Sequence, residues 1–441
     1  MEYSRSELMP GVFLSHLRSD KFKTACMSLN LLTQLKRESA AMNALIPNVL
    51  ARGTTRYPDM EQLSARFDEL YGAAVEPVNR RIGEVHCIGF FASFPEPAFL
   101  PGGEALLGEM SALMAEMLLS PNTRGGLLLP QYVESEKEKL TELIRSRVNE
   151  KRSYAFQRCL EEMCCCEDYA VSRFGTLEDC EAIHYKKLTR YYRELLRKSP
   201  VELFYCGRAS LAEVEAALRD SLSGMPRGEI DYDIGTDLRM NALEAEPRYF
   251  EERMDVTQGK LVLGFRLGAC MEDPDRAAIH VFNAVYGSGV NSKLFMNVRE
   301  KLSLCYYASS AVILRKGLML VSSGISFENF ESAKREILAQ LEAVKNGDIT
   351  DEELLCAKRA VASDLRAALD SQGELEGYWL GQALDGLDYG PTELAGLVEE
   401  VTREDVMKIA ESVELDLVYF LRGEGGTDTE EEAAEDEAAE A

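Results

Sequence analysis

The chain has 441 residues, 46% of them hydrophobic and 28% charged, as in ordinary soluble globular proteins, and this length predicts two or more domains. Its formal net charge of −26 argues against nucleic acid or an anionic membrane surface as the main partner. A mixed-charge N-terminus without an apolar core, no apolar run of transmembrane length and eleven cysteines without framework spacing predict a cytoplasmic chain with reduced thiols.

The first informative segment is an apolar helix that contains a proline. Apolar residues share one face at helical spacing: Met42, Leu45, Ile46, Val49 and Leu50. Pro47 and Asn48 lie outside this face, just before a turn at Gly53-Thr54. Proline is rare inside a helix because it lacks the N–H and clashes with the preceding turn. The segment therefore requires an explanation beyond packing.

Two similar stretches indicate an internal duplication. "LYGAAVEPVNRRIGEVHCIGFFASF" begins at Leu70, and "LCYYASSAVILRKGLMLVSSGISF" begins at Leu304. In each stretch a strand-like run reaches a turn glycine, Gly83 or Gly317, thirteen residues after the leucine, and a second strand follows. An offset of 234 residues is too long for a solenoid repeat and indicates a duplicated domain.

Helical patterns follow both predicted hairpins, at about 103–119 and 328–345, and Thr350 with Glu353 matches a capping box. A Gly-, Pro- and acid-rich stretch separates the halves. These features predict an N-terminal α+β domain, a linker, a C-terminal α+β domain and a solvated, disordered acidic tail, at 1–221, 222–246, 247–423 and 424–441. The tail has nine acidic residues and no basic one.

Several kinds of catalytic chemistry lack their motifs. The four histidines, His16, His86, His184 and His280, are too far apart for a zinc motif with two histidines on one helix. No G-x-S-x-G elbow is present, and "GSGVNSK" at 287–293 lacks phosphate-loop spacing, which favours a glycine turn before a helix. A metal cluster at Cys164–Cys166 is conceivable, but without a second ligand pair we interpret these cysteines as plain helix residues.

Two motifs identify a family resemblance. "ARGTTRYPDMEQLSARFDELYGA" and "GSGVNSKLFMNVREKLSLCYYASS" resemble the insulinase-type zinc peptidases, also called the M16 or pitrilysin family. The resemblance spans nearly the whole chain up to the acidic tail. It implies two homologous M16-like (LuxS/MPP-like) α+β domains. Each would be an antiparallel-rich sheet packed with helices, and the two would be joined by a linker and face a chamber.

The resemblance also implies that the zinc site is lost. In active relatives H-x-x-E-H lies just before the "G-T" turn, which places its histidines at Ala44 and Asn48 and its glutamate at Pro47. The third ligand, a glutamate in a later helix, falls on Leu143; the adjacent Glu142 is rotated by about 100° around the helix. None of the four replacements can supply imidazole, carboxylate or a general base. We therefore predict no metal ligand and no catalytic residue in this chain.

One functional element matches the family. "NVREKLSLCYY" resembles the second-half signature R-E-K-x-G-L-x-Y, with the arginine at Arg299, the tyrosine at Tyr306 and Ser303 in place of the glycine. The resemblance implies that Arg299 and Tyr306 bind peptide and stabilise an oxyanion, which suits their donors. The alternative is structural: Arg299 pairs with an acid at the helix end, and Tyr306 fills a strand.

We predict a non-catalytic subunit of an M16 peptidase heterodimer that is not an enzyme by itself. Its partner would be a catalytic paralogue with H-x-x-E-H, which would hold the zinc, and its substrate a peptide or unfolded protein. No cofactor, nucleic acid or membrane is expected for this chain. Overall likeness favours the bacterial group associated with aminopentanol modification of translation elongation factor P. The alternative is a structural or peptide-binding scaffold with no role in hydrolysis; an independent hydrolase has no supporting motif.

Overall fold

A computed structural model describes residues 1–268 and 273–424 of the chain, without the side chains of 273–275. The predicted acidic tail beyond Glu424 lies outside the described residues. The chain divides into two compact units. Unit 1 comprises Met1–Arg147, Cys166–Asp237 and Asp364–Leu394, and unit 2 comprises Val148–Cys165, Leu238–Ser363 and Ala395–Ala441. Each unit thus combines segments from both halves of the sequence, and the domain boundaries given above stay a prediction.

The described residues form thirteen strands and fourteen α-helices, with short 3-10 turns and one π-helical segment. The strands are β1 Glu2–Met9, β2 Val12–Arg18, β3 Thr24–Gln34, β4 Ala74–Ile82, β5 Val85–Pro95, β6 Thr123–Arg124, β7 Leu127–Leu128, β8 Val201–Gly207, β9 Arg248–Met254, β10 Gly259–Arg266, β11 Tyr307–Ile313, β12 Leu318–Ile325 and β13 Glu414–Gly423.

The helices follow in the same chain order. They are α1 Arg37–Leu50, α2 Met60–Glu69, α3 Leu107–Leu119, α4 Pro130–Ser146, α5 Lys151–Met163, α6 Leu177–Glu181, α7 Tyr185–Lys198, α8 Leu211–Leu222, α9 Asp273–Tyr286, α10 Phe330–Lys345, α11 Asp351–Ala367, α12 Gln372–Asp385, α13 Pro391–Glu400 and α14 Arg403–Glu411. The π-helical segment is Leu294–Lys301.

The strand order of the two sheets shows the duplication directly. The sheet of unit 1 has the order β1-β2-β8-β3-β5-β4, and the sheet of unit 2 has the order β11-β12-β10-β13-β9. Read from β4, the first sheet matches the second strand for strand, with β1 added at its far edge. In both sheets one pair is parallel, β2 with β8 and β9 with β13, and the others are antiparallel. The predicted α+β fold with two homologous domains is confirmed.

The predicted hairpin turns are also in place. Gly83 joins β4 to β5 at φ 58°, and Gly317 joins β11 to β12 at φ 62°, so both turns need the left-handed conformation that glycine adopts without strain. The capping box that opens α11 forms as predicted, because the Glu353 carboxylate accepts from the Thr350 N–H at 2.7 Å and the Thr350 hydroxyl accepts from the Glu353 N–H at 3.1 Å.

Two local predictions from the sequence were wrong. α3 begins at Leu107 rather than near 103, because Gly103 adopts φ 67° and cannot continue a right-handed helix. The three adjacent cysteines are not helix residues: α5 ends at Met163, Cys164 caps it, and Cys165 and Cys166 are exposed in the turn that follows.

Each sheet is covered on one face by a helix from the other half of the sequence. In unit 1, α12 contributes Leu375 and Trp379 to an apolar cluster with Cys26 of β3 and Cys206 of β8. In unit 2, α5 packs against β10 and β13, so closely that a Cβ at Gly264 would lie 2.7 Å from the Met163 sulfur. The other face of the first sheet carries the larger core, which includes Leu29 of β3.

The proline-containing helix α1 lies in that larger core. Its predicted apolar face is buried, from Met42 to Leu50. Pro47 was expected on an outer face, but it is buried as well. The reason is that α1 packs in unit 1 against β4 and β5 and also against α4, α6 and α7, so neighbouring elements surround most of the helix.

The stretch between α8 and β9 has no helix or strand, but its first part is held to unit 1. Gly228 and Asp231 donate their N–H groups to the carbonyls of Arg197 and Lys198, at 2.9 Å each. The Thr236 hydroxyl accepts from the Glu84 N–H at 2.9 Å. These hydrogen bonds fix the path of the chain as far as the end of unit 1.

Candidate functional site

The four positions that correspond to the zinc site lie on α1 and α4 and do not form a metal centre. Ala44 and Pro47 are buried and carry no donor atom, and Asn48 turns its amide back to donate to the Ala44 carbonyl at 3.0 Å. Leu143 is 45% exposed on α4. The residues present therefore do not fit zinc. Within the described ranges, no group of three or more His, Cys, Asp and Glu side chains could hold a metal ion.

A buried ion pair lies between the same two helices. Glu136 of α4 is buried, and one carboxylate oxygen accepts from Arg52 at 3.3 Å and from Lys139 at 2.7 Å. The Arg52 guanidinium also lies over the Tyr132 ring, 5.2 Å from its centroid. Both cations bind the same carboxylate, so Glu136 connects the chain just after α1 to α4. The sequence reasoning missed this residue.

A buried polar network ties the inner face of α1 to the sheet. Asn43 donates through Nδ2 to the Thr33 hydroxyl and to His86 Nδ1, at 3.1 Å each, and accepts at Oδ1 from the Tyr191 hydroxyl at 2.9 Å. His86 Nε2 lies 2.7 Å from Oδ1 of Asn79. Because Asn43 fills Nδ1 with a donor, the proton of the neutral imidazole belongs on Nε2, where it donates to Asn79.

The network keeps the imidazole of His86 neutral and prevents it from acting as a metal ligand. Burial, helped by the positive charges of Arg173 and Arg81, lowers the pKa of His86 to about 3. Burial also raises the pKa of Tyr191 to about 12. Both ring nitrogens of His86 are used, so neither is available as a ligand. His86 lies buried in β5, and no spacing in the sequence links it to Asn43 or Tyr191.

Arg299 and Tyr306 lie at the two ends of one turn in unit 2. Arg299 is in the π-helical segment, where its guanidinium stacks over the Phe295 ring at 4.7 Å and lies 3.7 Å from the Glu300 carboxylate. Its side chain is 42% exposed. Tyr306 is 62% exposed, and its N–H donates to the Gly324 carbonyl at 2.8 Å at the start of β11.

The side chain of Tyr306 does not fill the sheet. Its hydroxyl makes no hydrogen bond with any described residue and points away from the core, as its exposure shows. Among the described residues, the ion-pair partner of Arg299 is its neighbour Glu300, itself half-exposed and 3.7 Å away, so the ion pair is weak. The Arg299 side chain and the Tyr306 side chain are therefore both partly exposed to solvent. A π-helical turn is rare and is often found at functional sites.

The turn between Arg299 and Tyr306 explains why the family signature has a glycine at the position of Ser303. Ser303 stands where the signature has glycine, and it adopts φ 50° in the left-handed region. Its N–H donates to the Arg299 carbonyl at 3.1 Å, and the Leu304 N–H donates to the Val298 carbonyl at 3.0 Å. The serine thus keeps the turn of the signature, at a cost in backbone strain.

Exposed apolar side chains surround these two residues in the sequence. Large apolar residues exposed between 287 and 306 are Val290, Met296 and Leu302. Val290 belongs to the glycine-containing stretch, which is a turn before the π-helical segment, as predicted. Exposed apolar groups beside free polar donors are typical of a surface that binds another chain.

Comparisons with known proteins agree with this description. Residues 182–361 match the family model described as "Peptidase M16 inactive domain". Over 419 residues the chain is 32% identical to "Probable inactive metalloprotease YmfF" of Bacillus subtilis (strain 168), a match that covers 94% of this chain and 97% of the relative.

Two solved structures have the same fold. A conserved protein from Enterococcus faecalis V583 matches with a TM-score of 0.88 and 28% identity, over 97% of this chain and 100% of that chain. A peptidase M16 inactive domain from Pseudomonas fluorescens matches with a TM-score of 0.77 and 17% identity, over 96% and 98% of the two chains.

The length and identity of the match to the Bacillus subtilis relative exceed what a shared fold alone explains. The duplicated domain, the degenerate positions on α1 and α4 and the family model all point the same way. The chain therefore belongs to the M16 (insulinase-type, pitrilysin-like) metallopeptidase family, as a homologue of its inactive members.

Proposed function

We propose that this chain is the non-catalytic subunit of an M16 peptidase heterodimer. In this role Arg299 and Tyr306 bind the peptide and stabilise the oxyanion in the active site of a catalytic partner. The observation that carries the proposal is an asymmetry: the zinc positions have lost every ligand, whereas Tyr306 presents a free hydroxyl to solvent. An exposed tyrosine hydroxyl adds nothing to the packing of the core of this chain. In the complex with a second subunit it can donate a hydrogen bond.

The chemistry of the two side chains suits charge that develops on oxygen. A guanidinium offers a planar fork of donors, and a phenol offers one O–H donor without a charge of its own. Stacking on Phe295 limits the rotation of Arg299, so fewer rotamers are lost when it binds. Both groups are presented from one turn, whose ends are fixed by backbone hydrogen bonds.

The positions that hold zinc in active relatives cannot hold a metal-bound water here. Ala44, Pro47, Asn48 and Leu143 cannot supply one, so hydrolysis requires a second chain that keeps H-x-x-E-H. The expected partner is a paralogue of similar length, and the substrate is a peptide or unfolded segment. The apolar residues around Arg299 favour a substrate or partner surface with apolar side chains.

The test is peptide hydrolysis by the reconstituted pair. Tyr306→Phe removes one donor, and loss of one oxyanion donor costs about 10²–10³ in turnover. Arg299→Ala should raise KM and lower kcat/KM, because it removes binding as well as charge. Gel filtration of each complex checks that assembly is unchanged. Tyr232→Phe is the matched control, since Tyr232 is also exposed, at 59%, and lies in unit 1.

Full activity in both the Tyr306→Phe and the Arg299→Ala complexes would contradict the proposal. It would leave the scaffold interpretation, in which the chain supports its partner without touching the reacting groups. If the variant complexes lost activity because they failed to assemble in gel filtration, the proposal would also be contradicted. The two residues would then contribute to the subunit interface and not to stabilisation of the oxyanion.

A further inference from the structure

Two buried cysteines face each other across strands β3 and β8 of unit 1. Cys26 and Cys206 are direct partners in the antiparallel register of these strands, and both are fully buried free thiols. Directly opposite residues of a sheet point to the same face, so both side chains lie on the face that α12 covers. Neither thiol has a role in the function proposed above.

The backbone spacing at this pair suits a disulfide. Further along the same register, the Leu32 N–H donates to the Pro200 carbonyl at 2.9 Å. Hydrogen-bonded pairs recur at every second residue of an antiparallel ladder, so Cys26 and Cys206 also form such a pair, with Cα atoms about 5.5 Å apart. Disulfides join Cα atoms that are about 4.4–6.8 Å apart. The two sulfurs can therefore reach bonding distance without separation of the strands.

The two thiols are chemically unequal. A hydrogen bond from the Cys26 thiol lowers the pKa of Cys206, and the same contact raises the pKa of Cys26. The thiolate is the reactive form of cysteine, so Cys206 is the nucleophile of the pair. Cys26 is then the second thiol, which can complete a disulfide.

Helix α12 covers the two thiols and controls access to them. Leu375 and Trp379 of this helix pack in one apolar cluster with both cysteines. At the start of the helix, the Gln372 side-chain amide donates to the Thr24 carbonyl at 2.9 Å and to the Cys206 carbonyl at 3.1 Å. A buried thiol does not react until the segment above it opens, because an oxidant cannot reach the sulfur. Local opening of α12 therefore sets the rate of reaction at this pair.

We propose that Cys26 and Cys206 form a reversible oxidation site beneath α12 that takes hydrogen peroxide as its oxidant. When α12 opens, the Cys206 thiolate attacks one peroxide oxygen, the O–O bond breaks, hydroxide leaves, and Cys206 becomes a sulfenic acid. The Cys26 sulfur then attacks the sulfenic sulfur. This forms the S–S bond and releases the sulfenic hydroxyl with the Cys26 proton as water. The hydroxide takes up the proton that Cys206 lost, so the peroxide gains two electrons and becomes two water molecules. A dithiol reductant reverses the oxidation by thiol–disulfide exchange.

The test is disulfide mapping of the full chain in its native state. The exposed thiols, which include Cys165 and Cys166, are first blocked with iodoacetamide, and the desalted protein is then treated with hydrogen peroxide and digested. Mass spectrometry should find a peptide pair joined through Cys26 and Cys206 that disappears after treatment with dithiothreitol. Trp379, the only tryptophan, lies in the same cluster, so its fluorescence should fall as the disulfide forms and should return on reduction.

Three cysteine variants assign the roles of the two thiols. Cys206→Ala should abolish the linked peptide pair. Cys26→Ala should leave a sulfenic acid on Cys206, which dimedone added with the peroxide should trap. The matched control is Cys180→Ala, which removes another fully buried cysteine of unit 1 and should leave the link unchanged.

A fourth variant tests the control of access by α12. Arg80 Nη1 lies 2.7 Å from Oε2 of Glu376 on this helix. Because opening of α12 breaks this buried ion pair in the wild type, Arg80→Met should speed disulfide formation about tenfold or more. The matched control is Arg253→Met, which breaks an exposed ion pair in unit 2 and should leave the rate unchanged.

Three results would overturn the proposal. A link between Cys26 and Cys206 that forms only after denaturation would show that the two thiols are a packing contact of the native chain. Oxidation of Cys206 to a sulfinic acid without a link would show that Cys26 cannot complete the disulfide. Equal rates of disulfide formation in the wild type and in Arg80→Met would show that α12 does not control access to the pair.

Discussion

Glu376 of α12 and Arg80 of β4 form a bidentate ion pair inside unit 1. Arg80 Nη1 lies 2.7 Å from Oε2 of Glu376, and Nη2 contacts Oε1. The Glu376 side chain is 2% exposed, and it also accepts from the Ser28 hydroxyl at 2.6 Å. The pair joins a helix from the second half of the chain to the sheet of the first, so it fixes where α12 docks.

Arg80→Met should destabilise unit 1 by about 3 kcal/mol, because a buried carboxylate loses its cation. Trp379 is the only tryptophan of the chain and stacks on Tyr3 beside this pair, so its fluorescence during guanidinium unfolding reports on α12. Adding Glu376→Leu to Arg80→Met should recover part of the loss.

The control for this prediction is Arg253→Met, which breaks an exposed pair with Glu251 at 3.2 Å in unit 2. It should cost less than about 1 kcal/mol. If Arg80→Met behaved like Arg253→Met, the buried pair would not be what holds α12 to the sheet.

His86 should make stability depend on pH. In the unfolded chain its imidazole titrates near 6.5, whereas burial lowers its pKa to about 3 in the folded chain. Between these values the unfolded state binds a proton that the folded state does not, so the free energy of unfolding falls as the pH falls. The slope reaches about 1.4 kcal/mol per pH unit. From pH 7 to pH 5 this group should remove about 1–2 kcal/mol.

Comparison with His86→Gln isolates this contribution, because carboxylates and His280 titrate equally in both proteins. The variant should be less stable at pH 7 but should lose less between pH 7 and pH 5, measured by denaturant unfolding at each pH. Identical losses in the two proteins would mean that His86 has the same pKa in the folded and the unfolded chain.

Ser303→Gly should stabilise unit 2 by about 0.5–1 kcal/mol. Ser303 has φ 50°, and the cost of a left-handed serine exceeds the extra unfolded-state entropy of glycine. Scanning calorimetry is the measurement. Ser326→Gly is the control, since Ser326 has φ −70° and glycine there should destabilise. A lower melting temperature for Ser303→Gly would show that the serine side chain makes a contribution larger than the strain.

The purified chain should retain far less than one zinc per molecule after exposure to zinc and desalting, and should cleave no peptide alone. Ala44, Asn48 and Leu143 offer no metal ligand, and Pro47 offers no general base. Metal analysis beside an H-x-x-E-H paralogue treated in the same way is the measurement. One tightly held zinc per chain with three protein ligands would contradict this.

Much of the fold could be predicted from local pattern. The hairpin glycines Gly83 and Gly317 and the capping box at Thr350 are signals carried by a few neighbouring residues, and each is in place. The start of α3 could not be placed, because apolar spacing continues through Gly103 while its backbone does not. The packing of α5 in unit 2 and of α12 in unit 1 has no local signal, because it depends on contacts between segments far apart in the sequence.

Part of the candidate site could likewise be predicted from the sequence, and part depended on the tertiary structure. Motif position alone located Arg299 and Tyr306 and the empty ligand positions on α1. Their exposure, and the free hydroxyl of Tyr306, depend on how the turn at Ser303 presents them and could not be inferred from spacing. The partners of Asn43 were equally inaccessible, because His86 and Tyr191 lie 43 and 148 residues away in the chain.

The sequence by itself determined the family, the duplication and the identity of the residues at the family's zinc positions, because these rest on residue identity and short spacing. Only the tertiary structure decided that Pro47 is buried and that Glu136 and Glu376 anchor helices. Burial and pairing are properties of packing between distant segments, and the pKa of His86 follows from them.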